Sequence, residues 1–122
     1  MAKKILVVDD SASVRQQLRL ALEPVHYEVV EAVDGIEALA QLGSVHDISL
    51  MICDINMPRL NGIEMLEKAK ASGLRPGLPI IMLTTEGQPL LIRRAKEAGA
   101  KAWIVKPFNA AMLVSAVQKL AA

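Results

Sequence analysis

The stretch that most constrains the fold is a short apolar run in the middle of the chain, Leu50–Cys53, which leads directly into Asp54. A continuous apolar run of this length is typical of a strand buried on both faces, as in a parallel sheet covered by helices. Pro58 breaks the chain soon afterwards, so Asn56 is expected in a loop beyond the strand. In open α/β sheets, ligands bind outside the carboxyl ends of the strands. Asp54 is therefore a candidate site residue.

Four further segments indicate strands that accompany this one. They are Ile5–Val8, Tyr27–Ala32, Ile80–Leu83 and Ala102–Val105. Between and after these segments, apolar residues recur at helical spacing and predict five helices. Because strand and helix alternate five times, the sequence predicts an α/β fold with a five-stranded parallel sheet and helices on both faces.

The helical spacing also predicts which residues face the core. The second helix is expected to bury Ile36, Leu39 and Leu42. The last helix is expected to bury an apolar stripe that includes Met112. The Asp34-Gly35 pair before the second helix is interpreted as simple turn chemistry.

Length and composition limit the class of protein. The chain has 122 residues, the size of one ordinary domain, and residues 1–122 are predicted to form it. A net charge of +1 argues against direct nucleic-acid binding or an anionic membrane surface as the main function. The single cysteine, Cys53, is expected to fill the core, and a reducing compartment is favoured. No apolar stretch approaches the ~20 residues of a membrane span, so a cytoplasmic location is expected.

Polar side chains follow four of the predicted strands. Asp9 and Asp10 follow the first strand, and Asp54 follows the third. Thr84 follows the fourth, and Lys106 the fifth. Three carboxylates at one edge repel each other unless a cation neutralises them, and hard oxygen ligands suit Mg²⁺ or Mn²⁺. A hydroxyl and an ammonium opposite a metal-bound carboxylate suit phosphoryl transfer, with that carboxylate as nucleophile and an acyl phosphate as product.

The same residues carry a resemblance to a known family. The relevant motifs are Leu6–Asp10, Asp34-Gly35, Asp54–Gly62, Leu83-Thr84 and Trp103–Phe108. In this order and at this spacing they resemble response regulator receiver domains, most closely the single-domain CheY-like type, and they extend over nearly the whole chain. The resemblance implies the strand order 2-1-3-4-5.

The resemblance also implies a role for each acidic residue. Asp54 resembles the phosphoacceptor, which receives its phosphoryl group from a histidine kinase or a histidine phosphotransfer domain. Asp10 and Asp54 resemble direct metal ligands, and Asp9 resembles a ligand that acts largely through water. The backbone carbonyl of Asn56 resembles a further ligand, and Lys106 the cation that pairs with the phosphoryl group.

Output residues are implied in the same way. Thr84 resembles the switch hydroxyl, and Trp103 the switch aromatic, which is more often Tyr or Phe in the family. Thr85 stands where the family usually has a smaller residue and is expected to restrict access to the site. A phosphorylation-dependent protein target is expected on the face of the fourth helix, fifth strand and fifth helix. Residues 88–106 carry five basic residues against one acid, so the target is expected to supply acidic contacts.

Three functional classes compete for these observations. The first is a stand-alone response regulator of a two-component phosphorelay, which is not an enzyme acting on a separate substrate. The second is a receiver domain from a longer regulator with a DNA-binding or enzymatic output domain. The third is a haloacid-dehalogenase-type phosphatase, but its nucleophilic Asp follows the first strand. A flavodoxin-like cofactor binder is disfavoured because Asp9 and Asp10 would repel a phosphate. The first class, of chemotaxis type, is favoured.

Overall fold

The computed structural model describes residues 3–45, 47–55, 61–73, 77–84 and 89–121, with side chains described from residue 92 onward in the last range. Within these residues, five strands alternate with five α-helices. They are β1 Lys4–Val8, α1 Ala12–Leu22, β2 Glu28–Ala32, α2 Gly35–Ser44, β3 Ile48–Asp54, α3 Gly62–Ala71, β4 Ile80–Thr84, α4 Pro89–Glu97, β5 Ala102–Val105 and α5 Ala110–Leu120. All paired strands are parallel, in the order β2-β1-β3-β4-β5. The predicted fold and strand order are confirmed.

The register of the sheet brings the ends of four strands together. Val8, the last residue of β1, pairs with Cys53 of β3. Asp54, the residue after Cys53, pairs with Leu83 of β4. Thr84 of β4 pairs with Val105 of β5. Because parallel strands all end at the same edge, the residues that follow β1 and β5 lie on either side of the ends of β3 and β4.

The core consists of two apolar layers, one on each face of the sheet. Successive residues of β3 alternate between them: Met51 and Cys53 belong to one layer, and Leu50 and Ile52 to the other. The first layer packs against α2, α3 and α4, and the second against α1 and α5. Each fully buried Leu, Ile or Met side chain stabilises the fold by roughly 1.5–3 kcal/mol. The continuous apolar run of β3 thus reflects burial on both faces.

Among the described residues, a side-chain cap begins each of four helices. The Ser11 and Asn109 side chains accept hydrogen bonds from the first turns of α1 and α5. Asp34 caps α2 by accepting the Glu37 N–H at 2.9 Å, so the interpretation of this residue as a simple turn was wrong. Asn61 forms a capping box at the start of α3. Such caps each stabilise a helix by about 1 kcal/mol.

Two predicted core positions were wrong. Ile36 is 48% exposed, and Ala38 is buried instead. At about 100° per residue, Ile36 lies about 120° around the helix from Leu42, whereas Ala38 lies about 40° from it. Met112 is 69% exposed because α5 turns Leu113, its neighbour, towards the core. In the described part of the chain, no helix is long and apolar enough to cross a membrane.

Candidate functional site

Three carboxylates meet at the carboxyl ends of β1 and β3. Asp9 follows β1, Asp10 comes next, and Asp54 is the last residue of β3. One oxygen from each carboxylate lies within 4.8 Å of the others. Asp9 and Asp54 are buried, whereas Asp10 is exposed. The structure therefore brings together the three acidic residues that the sequence singled out.

The Lys106 ammonium joins two of these carboxylates. Its Nζ donates a hydrogen bond to Asp9 Oδ2 at 2.8 Å and lies 3.4 Å from Asp54 Oδ1. The Lys106 backbone N–H donates to the Thr84 carbonyl at 2.6 Å, which ties the residue to the end of β4. Burial lowers the pKa of Lys106, but the hydrogen bond with Asp9 and the charge of Asp54 outweigh this effect, so its pKa is raised. Lys106 is therefore a cation at neutral pH.

Asp54 occupies an unfavourable electrostatic environment. Burial, and secondly the charge of Asp9, raise the pKa of Asp54 from 3.8 to about 6, although Lys106 acts in the opposite direction. At neutral pH the group is mainly ionised, and a nearby cation would relieve the repulsion. The cluster is compatible with a divalent metal site because oxygens of three carboxylates lie close together. Asp10 is exposed, so solvent reaches the cluster. Asn56, the further predicted ligand, lies outside the described residues.

The predicted switch residues lie on β4 and β5. Thr84 is the buried last residue of β4. Trp103 is half-buried on β5, where it packs against the layer that includes Ala95 and Ala98. Its indole N–H is buried and has no hydrogen-bond partner among the residues described. Thr85 lies outside those residues.

Gly62 packs against the end of β3, a role that the sequence did not reveal. A Cβ at Gly62 would overlap the Asp54 carbonyl oxygen and lie 3.1 Å from Cys53 Sγ. The Gly62 N–H donates to the Ile55 carbonyl at 3.0 Å. Only glycine allows α3 to begin this close to the end of β3. The available sequence signal was the Asn61–Glu64 capping box, which marks the start of a helix at this point.

Arg15 is a second residue that sequence reasoning missed. Its Nη1 donates to the backbone carbonyl of Asp9 at 2.6 Å, and its Nε donates to Glu31 Oε1 at 2.8 Å. The pKa of Glu31 is lowered, first by the hydrogen bond from Arg19 and then by that from Arg15, so Glu31 is an anion at neutral pH. No local pattern indicates that an arginine on the first helix reaches back to the end of the first strand.

Comparisons with known proteins agree with this geometry. The family model for the response regulator receiver domain matches residues 5–118. The chain is 40% identical over 111 residues to chemotaxis protein CheY1 of Helicobacter pylori strain J99, covering 90% of each chain. It is also 40% identical over 111 residues to a chemotaxis protein CheY homolog of Campylobacter jejuni, covering 90% of this chain and 85% of that protein. A solved structure of Vibrio cholerae chemotaxis protein CheY4 is 38% identical, with a TM-score of 0.91, and covers 98% of this chain and 99% of that one.

These matches bear on the competing classes. They favour a chemotaxis-type regulator and do not favour a receiver domain with a DNA-binding or enzymatic output. CheY-like receiver domains interact with histidine kinases and with downstream targets. The chain belongs to the response regulator receiver domain family, as a two-component response regulator of the CheY-like chemotaxis type.

Proposed function

We propose that Asp54 accepts a phosphoryl group from the phosphohistidine of a histidine kinase or a histidine phosphotransfer domain, with Mg²⁺ as the preferred metal and Mn²⁺ as a substitute. The observation that carries this proposal is the position of the Asp54 carboxylate, 3.4 Å from the Lys106 ammonium and clustered with Asp9 and Asp10. A buried anion, a fixed cation and further metal-type ligands are the components that phosphoryl transfer to a carboxylate requires.

The chemistry of the step follows from these residues. An oxygen of ionised Asp54 attacks the phosphorus atom, the phosphorus–nitrogen bond breaks, and the histidine ring leaves with the bonding electrons. The product is an acyl phosphate. Asp9, Asp10 and Asp54, together with the Asn56 carbonyl, would hold the metal, which when bound supplies positive charge next to the phosphoryl oxygens. The Lys106 ammonium is close enough to Asp54 to neutralise another of those oxygens.

The output is proposed to be phosphorylation-dependent binding of a protein target. The Thr84 hydroxyl bonds a phosphoryl oxygen, and Trp103 responds to the rearrangement. The face formed by α4, β5 and α5 then receives the target, and acidic target residues meet its basic side chains. Val105 on β5 and Met112 on α5 are 47% and 69% exposed, so this face also offers apolar contact area.

The domain, residues 1–122, is proposed to act in the cytoplasm, where it meets its phosphodonor. It binds neither nucleic acid nor membrane directly in this scheme. It turns over no separate substrate, and its own chemistry consists of taking up and losing the phosphoryl group.

Radiolabelled phosphodonor tests the proposal. Wild-type protein and the Asp54→Asn variant are incubated with labelled phosphohistidine kinase and Mg²⁺, and the label is counted after separation. The matched control is Asp47→Asn, which removes an exposed carboxylate that pairs with Lys4. We expect label on wild type and on Asp47→Asn and none on Asp54→Asn. Equal labelling of all three proteins would refute Asp54 as the acceptor.

A pull-down tests the output. Protein treated with beryllofluoride and Mg²⁺, which mimics the phosphorylated state, is compared with untreated protein as bait. The proposed face is supported if a target is retained only by the treated protein and substitution of Val105 or Met112 weakens its binding. A target whose binding is unchanged by both substitutions would contradict that face.

A further inference from the structure

The first turn of α1 carries a side chain that the proposed phosphorylation chemistry does not use. Arg15 is only 14% exposed in its side chain. Its guanidinium bridges two partners, the Asp9 backbone carbonyl at 2.6 Å and the Glu31 carboxylate at 2.8 Å. A planar guanidinium held by a carboxylate on one side has little freedom to move on the other. Arg15 therefore fixes the orientation of the peptide bond between Asp9 and Asp10.

That peptide bond sets the backbone position from which the Asp10 side chain extends. The Asp9 side chain is itself fixed, because Oδ1 accepts the Ser11 N–H at 2.9 Å and Oδ2 accepts from Lys106 at 2.8 Å. Asp10, by contrast, is exposed, and its carboxylate makes no hydrogen bond within the described part of the chain. The position of Asp10 consequently depends on its backbone, and Arg15 holds the carbonyl next to it.

Arg15 belongs to a group of charges that balance. Glu31 also accepts from Arg19 at 2.6 Å, and Arg19 pairs with Glu23 at 2.9 Å. Two arginines and two carboxylates give this group no net charge. An isolated arginine beside a metal site would repel a divalent cation. The balanced group can hold the Asp9 carbonyl without that cost.

We infer that Arg15, oriented by Glu31, is a positioning residue for the metal site and keeps the Asp10 carboxylate in place for a divalent cation. The inference rests on the proposed function, in which these carboxylates hold a divalent metal. Residues that orient metal ligands typically change metal affinity by about 10- to 100-fold. We expect about tenfold here, because Arg15 contacts the Asp9 backbone carbonyl rather than a carboxylate that would bind the metal.

A pair of charge-matched variants tests the inference. Arg15→Gln and Arg19→Gln each remove one positive charge and one ion pair with Glu31. Of these two arginines, Arg15 alone contacts Asp9. Mn²⁺ is titrated into each full-length protein, and free Mn²⁺ is measured by electron paramagnetic resonance. We expect the Kd for Mn²⁺ to rise about tenfold in Arg15→Gln and to stay within about twofold of wild type in Arg19→Gln. Cooperative urea unfolding checks that both variants are folded.

A second pair keeps the test decisive if Arg15→Gln does not fold. Glu31→Gln removes the carboxylate that pairs with Arg15. Glu23→Gln removes an equal charge, but Glu23 pairs with Arg19 and not with Arg15. We expect a higher Kd in Glu31→Gln than in Glu23→Gln. A purely structural role would lower the urea midpoint and leave the Kd unchanged. Equal Kd values within each folded pair would overturn the inference while leaving the proposed function intact. A wild-type protein that binds no Mn²⁺ would overturn both.

Discussion

Replacement of Asp54 by Asn is expected to stabilise the metal-free protein, although it removes the proposed phosphoacceptor. Burial and the charge of Asp9 raise the pKa of Asp54 from 3.8 to about 6. Each pH unit of difference corresponds to about 1.4 kcal/mol, so ionised Asp54 costs the folded state at most about 3 kcal/mol. The cluster borders on solvent at Asp10, which screens this repulsion, and the Asn variant loses the Lys106 contact at 3.4 Å. We therefore expect a gain of about 1–2 kcal/mol in the free energy of unfolding at pH 7.5.

The gain must depend on pH in a defined direction. Below pH 3.8 the Asp54 carboxyl is neutral in both the folded and the unfolded protein, and its charge costs nothing. Between pH 3.8 and about 6 the unfolded state loses its proton first, so the stability of wild type falls as the pH rises. Above about pH 6 the cost is constant. The advantage of Asp54→Asn over wild type should thus be full at pH 7.5 and shrink towards zero near pH 4.

Urea unfolding between pH 4 and 8 in the presence of a metal chelator measures this difference, with far-ultraviolet circular dichroism as the signal. Asp47→Asn is the control, because Asp47 is exposed and its loss should change stability by no more than about 0.5 kcal/mol. Added Mg²⁺ should narrow the gap, because binding stabilises wild type. The electrostatic argument fails if Asp54→Asn is less stable than wild type at pH 7.5, or if its advantage is the same at pH 4.

Three further predictions concern the surroundings of the site. Gly62→Ala should lower stability by roughly 1–3 kcal/mol and slow the proposed phosphorylation, because its Cβ would overlap the Asp54 carbonyl oxygen. Gly43→Ala, which has open space around its Cβ, should stabilise the protein by about 0.5–1 kcal/mol. Equal urea midpoints for the two would contradict this. Trp103 fluorescence should change on addition of beryllofluoride and Mg²⁺, and Thr84→Ala should reduce the change; a flat wild-type signal, with binding confirmed, counts against Trp103 as the switch. Thr85→Ala should speed phosphorylation or dephosphorylation in a labelling time course, and unchanged rates would exclude control of access there.

The fold could be predicted from the sequence because its strongest signal is local. A strand buried on both faces must be continuously apolar, and the run that ends at Asp54 has this property. Parallel topology then brings the strand ends to one edge, so the sequence alone predicts that Asp9 and Asp54 meet, as they do. The errors at Ile36 and Met112 have a different origin. In a short helix the buried stripe depends on how the helix is rotated against the sheet, and a composition rich in apolar residues offers more than one possible stripe.

The supporting residues could not be predicted because their roles depend on distances between separate elements. Arg15 reaches Asp9 only after α1 has folded back beside β2. Gly62 is required because α3 approaches the Asp54 carbonyl closely. The Asn61-Gly62 sequence is equally typical of an ordinary turn. Asp34 was assigned to a turn for the same reason, because turn residues and helix caps are chemically alike.

The contacts of the three carboxylates also support the proposal that Asp54, rather than Asp9 or Asp10, is the phosphoacceptor. Both oxygens of Asp9 accept hydrogen bonds, one from the Ser11 N–H and the other from Lys106, so an attack through either oxygen would disturb an existing hydrogen bond. Asp10 is exposed, where water solvates its charge and lowers its nucleophilicity. The Asp54 carboxylate is buried, and among the described residues it pairs with Lys106 at 3.4 Å. A buried anion that few donors satisfy gains most from a new bond to phosphorus and from a bound cation. Burial, and secondly the charge of Asp9, raise the pKa of Asp54, and Lys106 offsets these effects only in part.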